Sequence, residues 1–239
     1  QDYVRRFLNH WQPDLAVFVE SEIWPNLVLE TNTLNIPLVL VNGRMSFRSF
    51  RRWRNRPGLS RPLFSAFGLV LAQNERFAQR FTALGAALAV PVGNLKIDAP
   101  PPPVDLAGHK KLSAALAGRS VWLAASTHPG EDDIAAVAHL AIKGARPDLL
   151  TIIVPRHPDR GPFVARLLSN ANLKVALRSE GELPDASTDI YIADTIGELG
   201  LFYNLVPVAF VGGSLVPHGG QNPVEAIKLG AAVVTGPHW

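Results

Sequence analysis

Residues 121–154, VWLAASTHPGEDDIAAVAHLAIKGARPDLLTIIV, decide the fold. A β-rich apolar run at 121–125 gives way to small and polar residues, then to a helix-length segment at 131–142 and a second apolar run at 150–154. A strand, an amphipathic helix and another strand with so short a connection predict a right-handed βαβ unit in a parallel sheet. Downstream the rhythm continues with a helix at 161–170, strands at 174–177, 190–193 and 208–211, a helix at 223–229 and a strand at 231–235. Upstream a helix is expected at 106–116.

Before that helix the chain breaks. GNLKID at 93–98 and the proline run at 100–103 deny a sheet its donors and stiffen the chain, so they read as a linker. On its far side an earlier α/β segment carries buried strands at 15–19, 37–41 and 69–71, a further strand at 88–92, and helices at 25–34 and 74–84. The expectation is an α/β chain of two Rossmann-like domains, residues 1–98 and 99–239, each incomplete.

Composition agrees with a packed core. Of 239 residues, 47% are hydrophobic and 18% charged, a balance that excludes disorder. There is no cysteine, which excludes disulfides, thiolate metal sites and thiol redox chemistry. No apolar run approaches the roughly 18 to 20 residues of a spanning helix. The opening Gln1-Asp2-Tyr3 carries no signal peptide, and both ends read as cuts through a longer protein. Zinc spacing, a Walker loop, a GxSxG elbow and GxGxxG after a first strand are all missing from the sequence.

Parallel sheets place ligands beyond the carboxyl ends of their strands. There the chain reads Gly212-Gly213-Ser214 and GGQNPVE at 219–225, with Asn222 as a helix cap, Pro223 at the first helical position and Glu225 as a ribose acceptor. An anion site built on the paired glycines and an ordinary capped loop both fit. PRHP at 155–158 offers the fork of Arg156, either as a phosphate clamp or as a helix cap with His157 and Arg160. Asp194 or Thr195 followed by Glu198 has capping-box spacing, and Ser126-Thr127-His128 suits an oxygen-rich ligand or a helix start. Glu20 and Glu22 offer paired carboxylates for acid–base or electrostatic work, or a solvated helix start. Six arginines between Arg44 and Arg56, interleaved with Phe47, Phe50 and Trp53, admit nucleic acid, an anionic membrane, an acidic lipid or solvent alone.

Taken in order, ESEIWPN (20–26), NGRMS (42–46), Gln73-Asn74 with Arg80-Phe81 and Leu84-Gly85-Ala86, GNLKID, Ser126-Thr127-His128, PRHP, DTIGEL (194–199) and FVGGS (210–214) with GGQNPVE resemble the Kdo transferases. These are the 3-deoxy-D-manno-octulosonic acid transferases of lipopolysaccharide assembly in Gram-negative bacteria. The resemblance spans nearly the whole chain and implies a GT-B glycosyltransferase, two Rossmann-like domains facing a cleft. It implies inverting transfer of Kdo from CMP-Kdo to lipid IVA, a lipid A precursor, at the cytoplasmic face of the inner membrane, with no metal or other cofactor and no nucleic acid partner.

The roles carried over are CMP binding by Pro155 and Arg156, by Gly197, Glu198 and Leu199, and by Asn222, Pro223, Val224 and Glu225. Glu22 and Lys96 match positions that support the transition state. The family's base lies in a small-residue Gly-Glu segment that this chain does not contain upstream of Glu20, so no base is assigned and turnover by this chain alone is not expected. Its membrane-associating N-terminal helix and its C-terminal helical tail are likewise not among these residues. Gln221 stands where the family tag has histidine, and an amide cannot become cationic. The rival readings are a GT-B transferase using a UDP-sugar and a non-catalytic module binding anionic lipid or RNA.

Overall fold

The computed structural model describes residues 2–116 and 118–238. The chain divides into two compact α/β units, the first ending at Ala99 and the second beginning at Pro100.

In the first unit α1 (Asp2–Trp11), β1 (Ala16–Val19), α2 (Pro25–Thr33), β2 (Leu38–Gly43), α3 (Phe47–Arg54), α4 (Pro57–Ser65), β3 (Leu69–Ala72), α5 (Glu75–Leu84), β4 (Ala89–Pro91) and α6 (Leu95–Asp98) follow in turn. The sheet runs β1-β2-β3-β4 and every pairing is parallel. Its core is Leu38, Leu40, Val70, Phe64, Phe67 and Phe81, all essentially inaccessible to solvent. Local chemistry sets the helix ends. Asn74 accepts from the Phe77 amide at 3.0 Å to start α5. Gly85 ends α5 with φ +115°, returning the Ala86 amide to Phe81 O in a Schellman arrangement.

One expectation changes here. The strand at 15–19 is not buried throughout: Phe18 is buried, but Leu15, Val17 and Val19 are about half exposed, because β1 is an edge of this sheet. Most of the basic run forms the helix α3, started by the Ser46 hydroxyl on the Ser49 amide. Phe50 and Trp53 turn inward onto the core.

The second unit carries α7 (Leu106–Leu116), β5 (Val121–Thr127), α8 (Glu131–Lys143), β6 (Leu150–Pro155), α9 (Gly161–Asn170), β7 (Val175–Leu177), β8 (Ile190–Ile192), α10 (Leu199–Leu205), β9 (Val208–Val211), α11 (Val224–Lys228) and β10 (Ala232–Val234). Its sheet is ordered β10-β9-β5-β6-β8-β7 and is parallel throughout. Successive residues of a strand point to opposite faces, and here both faces are covered. Leu150, Ile152 and Val154 join Leu123, Tyr191 and Phe202 in one cluster, while Ile153 joins Ala124, Ile190, Ile192 and Val164 in the other. That is why 150–154 reads as apolar on both faces, broken only by the buried Thr151.

Candidate functional site

In the second sheet β5 and β9 are neighbours, but the chain leaves β5 toward β6 and leaves β9 toward β10. Such a switch point opens a crevice beyond the carboxyl ends of the two strands. The loops after β5, β6, β8 and β9 therefore leave the sheet along one edge.

Under that edge sits Glu131, the first residue of α8 and fully buried. Its carboxylate accepts from the amides of His128 (2.9 Å), Gly213 (2.7 Å), Ser214 (3.0 Å) and Leu215 (3.0 Å). Of the paired glycines, Gly213 thus gives its amide to the protein's own anion and Gly212 gives its amide to Ala125 O at 2.8 Å, which corrects the expectation that they face a ligand. Burial pushes the Glu131 carboxyl up, but the four amide bonds together outweigh it and hold it below its ordinary value. Gly212 is required by approach: a Cβ there would lie 2.4 Å from Ser126 O.

Above Glu131 lies a cluster of imidazoles. His128 is 7% exposed and stacks on His218 at 3.9 Å between centroids, with His157 edge-on at 6.4 Å. Gln221 Nε2 lies 3.3 Å from His128 Nε2. Burial and then the neighbouring His218 push His128 below its ordinary pKa. Arg160 donates to Thr127 O at 3.0 Å and pairs with the buried Asp132, which also accepts from Thr127 Oγ1 at 2.6 Å. The Arg156 amide reaches Thr127 O, and its exposed side chain forms no ion pair among the described residues.

The expected nucleotide contacts all follow strands that end on this edge. Pro155 closes β6 and Arg156 follows it. Gly197 is an exposed turn with φ +86° after β8. Glu198 precedes α10, but its carboxylate is held by Arg178 (Nε to Oε2, 2.6 Å) and by the Thr195 hydroxyl. The hydrogen bonds from Arg178 keep the Glu198 carboxyl below its ordinary value. The capping box is therefore not formed; α10 begins at Leu199, without a side-chain cap on its amides. Asn222 accepts from the Val224 amide at 3.3 Å, so α11 starts at Val224 and Pro223 is its cap. Glu225 lies in the first turn, half-exposed, and its charge helps to raise the buried Tyr203 hydroxyl, for which burial is the larger cause.

A hollow of 460 Å³ in this unit lies elsewhere, on an apolar face lined by Trp122, Ile134, Ile142, Phe210, Leu215 and Val234. Arg146 and Glu131 also belong to its otherwise mostly apolar lining. Among the described residues no group of three or more His, Asp or Glu is arranged to hold a metal ion, and no helix is long and apolar enough to cross a membrane.

The first unit has its own polar cluster at its strand ends. Glu20 and Asn42, both in left-handed backbone (φ +59° and +56°), follow β1 and close β2. Lys96 Nζ lies 2.8 Å from Glu20 Oε1, and Asn42 Oδ1 accepts from the Leu95 amide at 3.2 Å. The two carboxylates of ESE thus part company. Glu20 holds Lys96, whereas Glu22 is exposed and lines an apolar groove with Phe7, Trp11 and Trp24. Glu131, His218 and Asn42 lie in segments the sequence marks, but their roles, and the pairing of Glu20 with Lys96, were not legible there. Helix-start position marks Glu131, but only the fold brings the others to their partners.

A model of the family described as 3-Deoxy-D-manno-octulosonic-acid transferase (kdotransferase) matches residues 1–99. The 3-deoxy-D-manno-octulosonic acid transferase of Haemophilus influenzae is 38% identical over 239 residues, covering 98% of this chain and 56% of that protein. The chain thus spans about half the length of the curated relatives it matches. The crystal structure of the C-terminal CMP-Kdo binding domain of WaaA from Acinetobacter baumannii is 38% identical, with a TM-score of 0.52, over 56% of this chain and 72% of that one. Trehalose-6-phosphate synthase OtsA, at 14% identity, TM-score 0.56 and coverage of 97% of this chain and 61% of that one, shares the fold alone. The fold class is α/β of the GT-B type. On the strength of these matches, spread over both units, the chain belongs to the 3-deoxy-D-manno-octulosonic acid transferase family, a family of glycosyltransferases.

Proposed function

We propose that this chain is the portion of a Kdo transferase that binds CMP-Kdo through its second unit and works on lipid IVA with its first, transferring Kdo with inversion. The observation that carries the reading is the convergence of Arg156, Gly197 to Leu199 and Asn222 to Glu225 on one sheet edge, after β6, β8 and β9. Three inter-strand steps separate the ends of β8 and β9, about 14 Å at ordinary spacing, the span of a nucleotide. Arg156 supplies a guanidinium for the phosphate, and Glu225 supplies an acceptor for ribose hydroxyls. The CMP-Kdo binding named for the WaaA domain supports the same donor.

In a single displacement the acceptor hydroxyl attacks the anomeric carbon as the bond to the cytidylate oxygen breaks. The growing charge falls on the leaving phosphate, which cationic side chains neutralise without a metal. Lys96 and Glu22 are proposed to support the transition state from the first unit. The exposed arginines of α3 are proposed to meet the phosphates of lipid IVA and the anionic cytoplasmic leaflet of the inner membrane.

Calorimetry tests the donor. CMP should bind more tightly than UDP, and Arg156→Ala should weaken CMP by about 10- to 100-fold, the worth of a charge-assisted hydrogen bond. Tighter binding of UDP would favour a UDP-sugar enzyme. RNA binding that fades with salt, with neither nucleotide bound, would favour a non-catalytic module.

A further inference from the structure

We propose that His128, stacked against His218, is a proton-coupled seat for a phosphate group: the His128 ring is held neutral by its surroundings, and an anion binds together with a proton taken up by that ring. This deepens the donor reading above and rests on it for the identity of the phosphate as that of cytidylate.

Two features of the geometry hold the His128 ring neutral. The first is the stack itself. With 3.9 Å between centroids and 32° between planes, two imidazolium charges would repel strongly in a half-buried place. The second is Gln221. Its amide nitrogen, 3.3 Å from His128 Nε2, is a donor that needs that ring nitrogen as an acceptor. Protonating Nε2 requires the Gln221 amide to turn and present its oxygen instead. Gly213, beside both side chains, has φ +70°, a left-handed backbone that favours glycine.

The groups facing His128 explain why an anion reverses the balance. From the loop after β9 comes His218, and from the loop after β6 come His157 and Arg160. From its own loop comes Glu131, whose carboxylate is already committed to four amides. Asp132 is committed to Arg160 and Thr127. Every group left to meet a ligand is a cation or can become one. A phosphate at the exposed edge of the stack would pair with the His128 ring and offset the repulsion that keeps it neutral.

The test follows the ring C2 resonances of His128 and His218 through pH titrations of the protein alone, with saturating CMP, and with inorganic phosphate. Ring resonances are the readout because CMP has its own ionisation at about pH 6. The His128 midpoint should rise by about one pH unit on saturation, and affinity should rise up to about tenfold per pH unit between pH 7.5 and 6 for the proton taken up. His218→Phe keeps a ring against His128 at an exposed position and removes the neighbouring imidazole, so the His128 midpoint of the protein alone should rise while the spectrum stays folded.

If CMP binds more tightly than UDP and the His128 midpoint does not move, the proton-coupled seat is overturned and the cytidylate reading stands. If inorganic phosphate moves the His128 midpoint and CMP binds no more tightly than phosphate, the seat stands and the cytidylate reading falls. If neither ligand binds, both fall.

Discussion

Glu131 takes a negative charge to a point where no solvent reaches it, and four amides compensate that charge. Three of those amides belong to the turn after β9, so the carboxylate ties that loop to the start of α8. Removing it would leave buried N–H groups of Gly213 and Ser214 without an acceptor. Each orphaned group costs about 1–3 kcal/mol, so Glu131→Ala should destabilise the second unit by at least about 2 kcal/mol in urea denaturation. Glu131→Gln keeps one acceptor and should cost less. Equal stability of the alanine variant and the parent would mean that the loop is held by other contacts. A sequence can mark a glutamate at a helix start, but not the loop 82 residues away that it will bind. Arg156 was legible for the opposite reason: it directly follows a strand end, where position alone defines its surroundings.

At the scale of an element, α3 shows how composition misleads. A run rich in arginine with no acid looks like solvated chain, and its like charges do oppose a helix. What overrides this is the spacing of Phe50 and Trp53, three apart, which puts both rings on the core while Arg48, Arg51, Arg52 and Arg54 stay exposed beside Phe47. The aromatic pattern carried the helix, and the charge masked it. The helix therefore does not depend on its arginines. Replacing Arg48, Arg51 and Arg52 with Ala should leave thermal stability unchanged or slightly raised. At about 1 kcal/mol per basic residue near an anionic surface, the same triple variant should weaken binding to vesicles carrying lipid IVA roughly 100-fold. Vesicle binding that survives the triple substitution removes α3 from the membrane-facing role.

Across the whole molecule, the succession of strands along the chain was legible, because a 2-residue and a 3.6-residue hydrophobic period alternate visibly. Which apolar faces are covered was not, as Leu15, Val17 and Val19 on the open edge β1 illustrate. Buried titratable groups were equally hidden, and they govern how the second unit answers to acid. His139 is fully buried on α8, with Nδ1 2.9 Å from Thr151 Oγ1, no hydrogen bond at Nε2, and Asp189 Oδ1 3.8 Å away. Burial lowers its pKa despite Asp189, as burial and His218 lower that of His128. A group whose folded pKa lies below its unfolded value contributes stability above the unfolded value and loses it as pH falls. Stability should therefore hold above about pH 6.5 and then decline by up to about 1.4 kcal/mol per pH unit for each imidazole. A second decline should begin below about pH 4.5, where Glu131, Asp189 and Glu198, all held below their ordinary values, take up protons in the unfolded chain first. His139→Gln keeps a hydrogen-bonding side chain without a titrating ring and should flatten the first decline alone. Urea titrations at several pH values, read on resolved amide signals of β5 and β6, measure both steps. A second unit equally stable at pH 7.5 and pH 5.5 would contradict the neutral, buried state assigned to these two histidines.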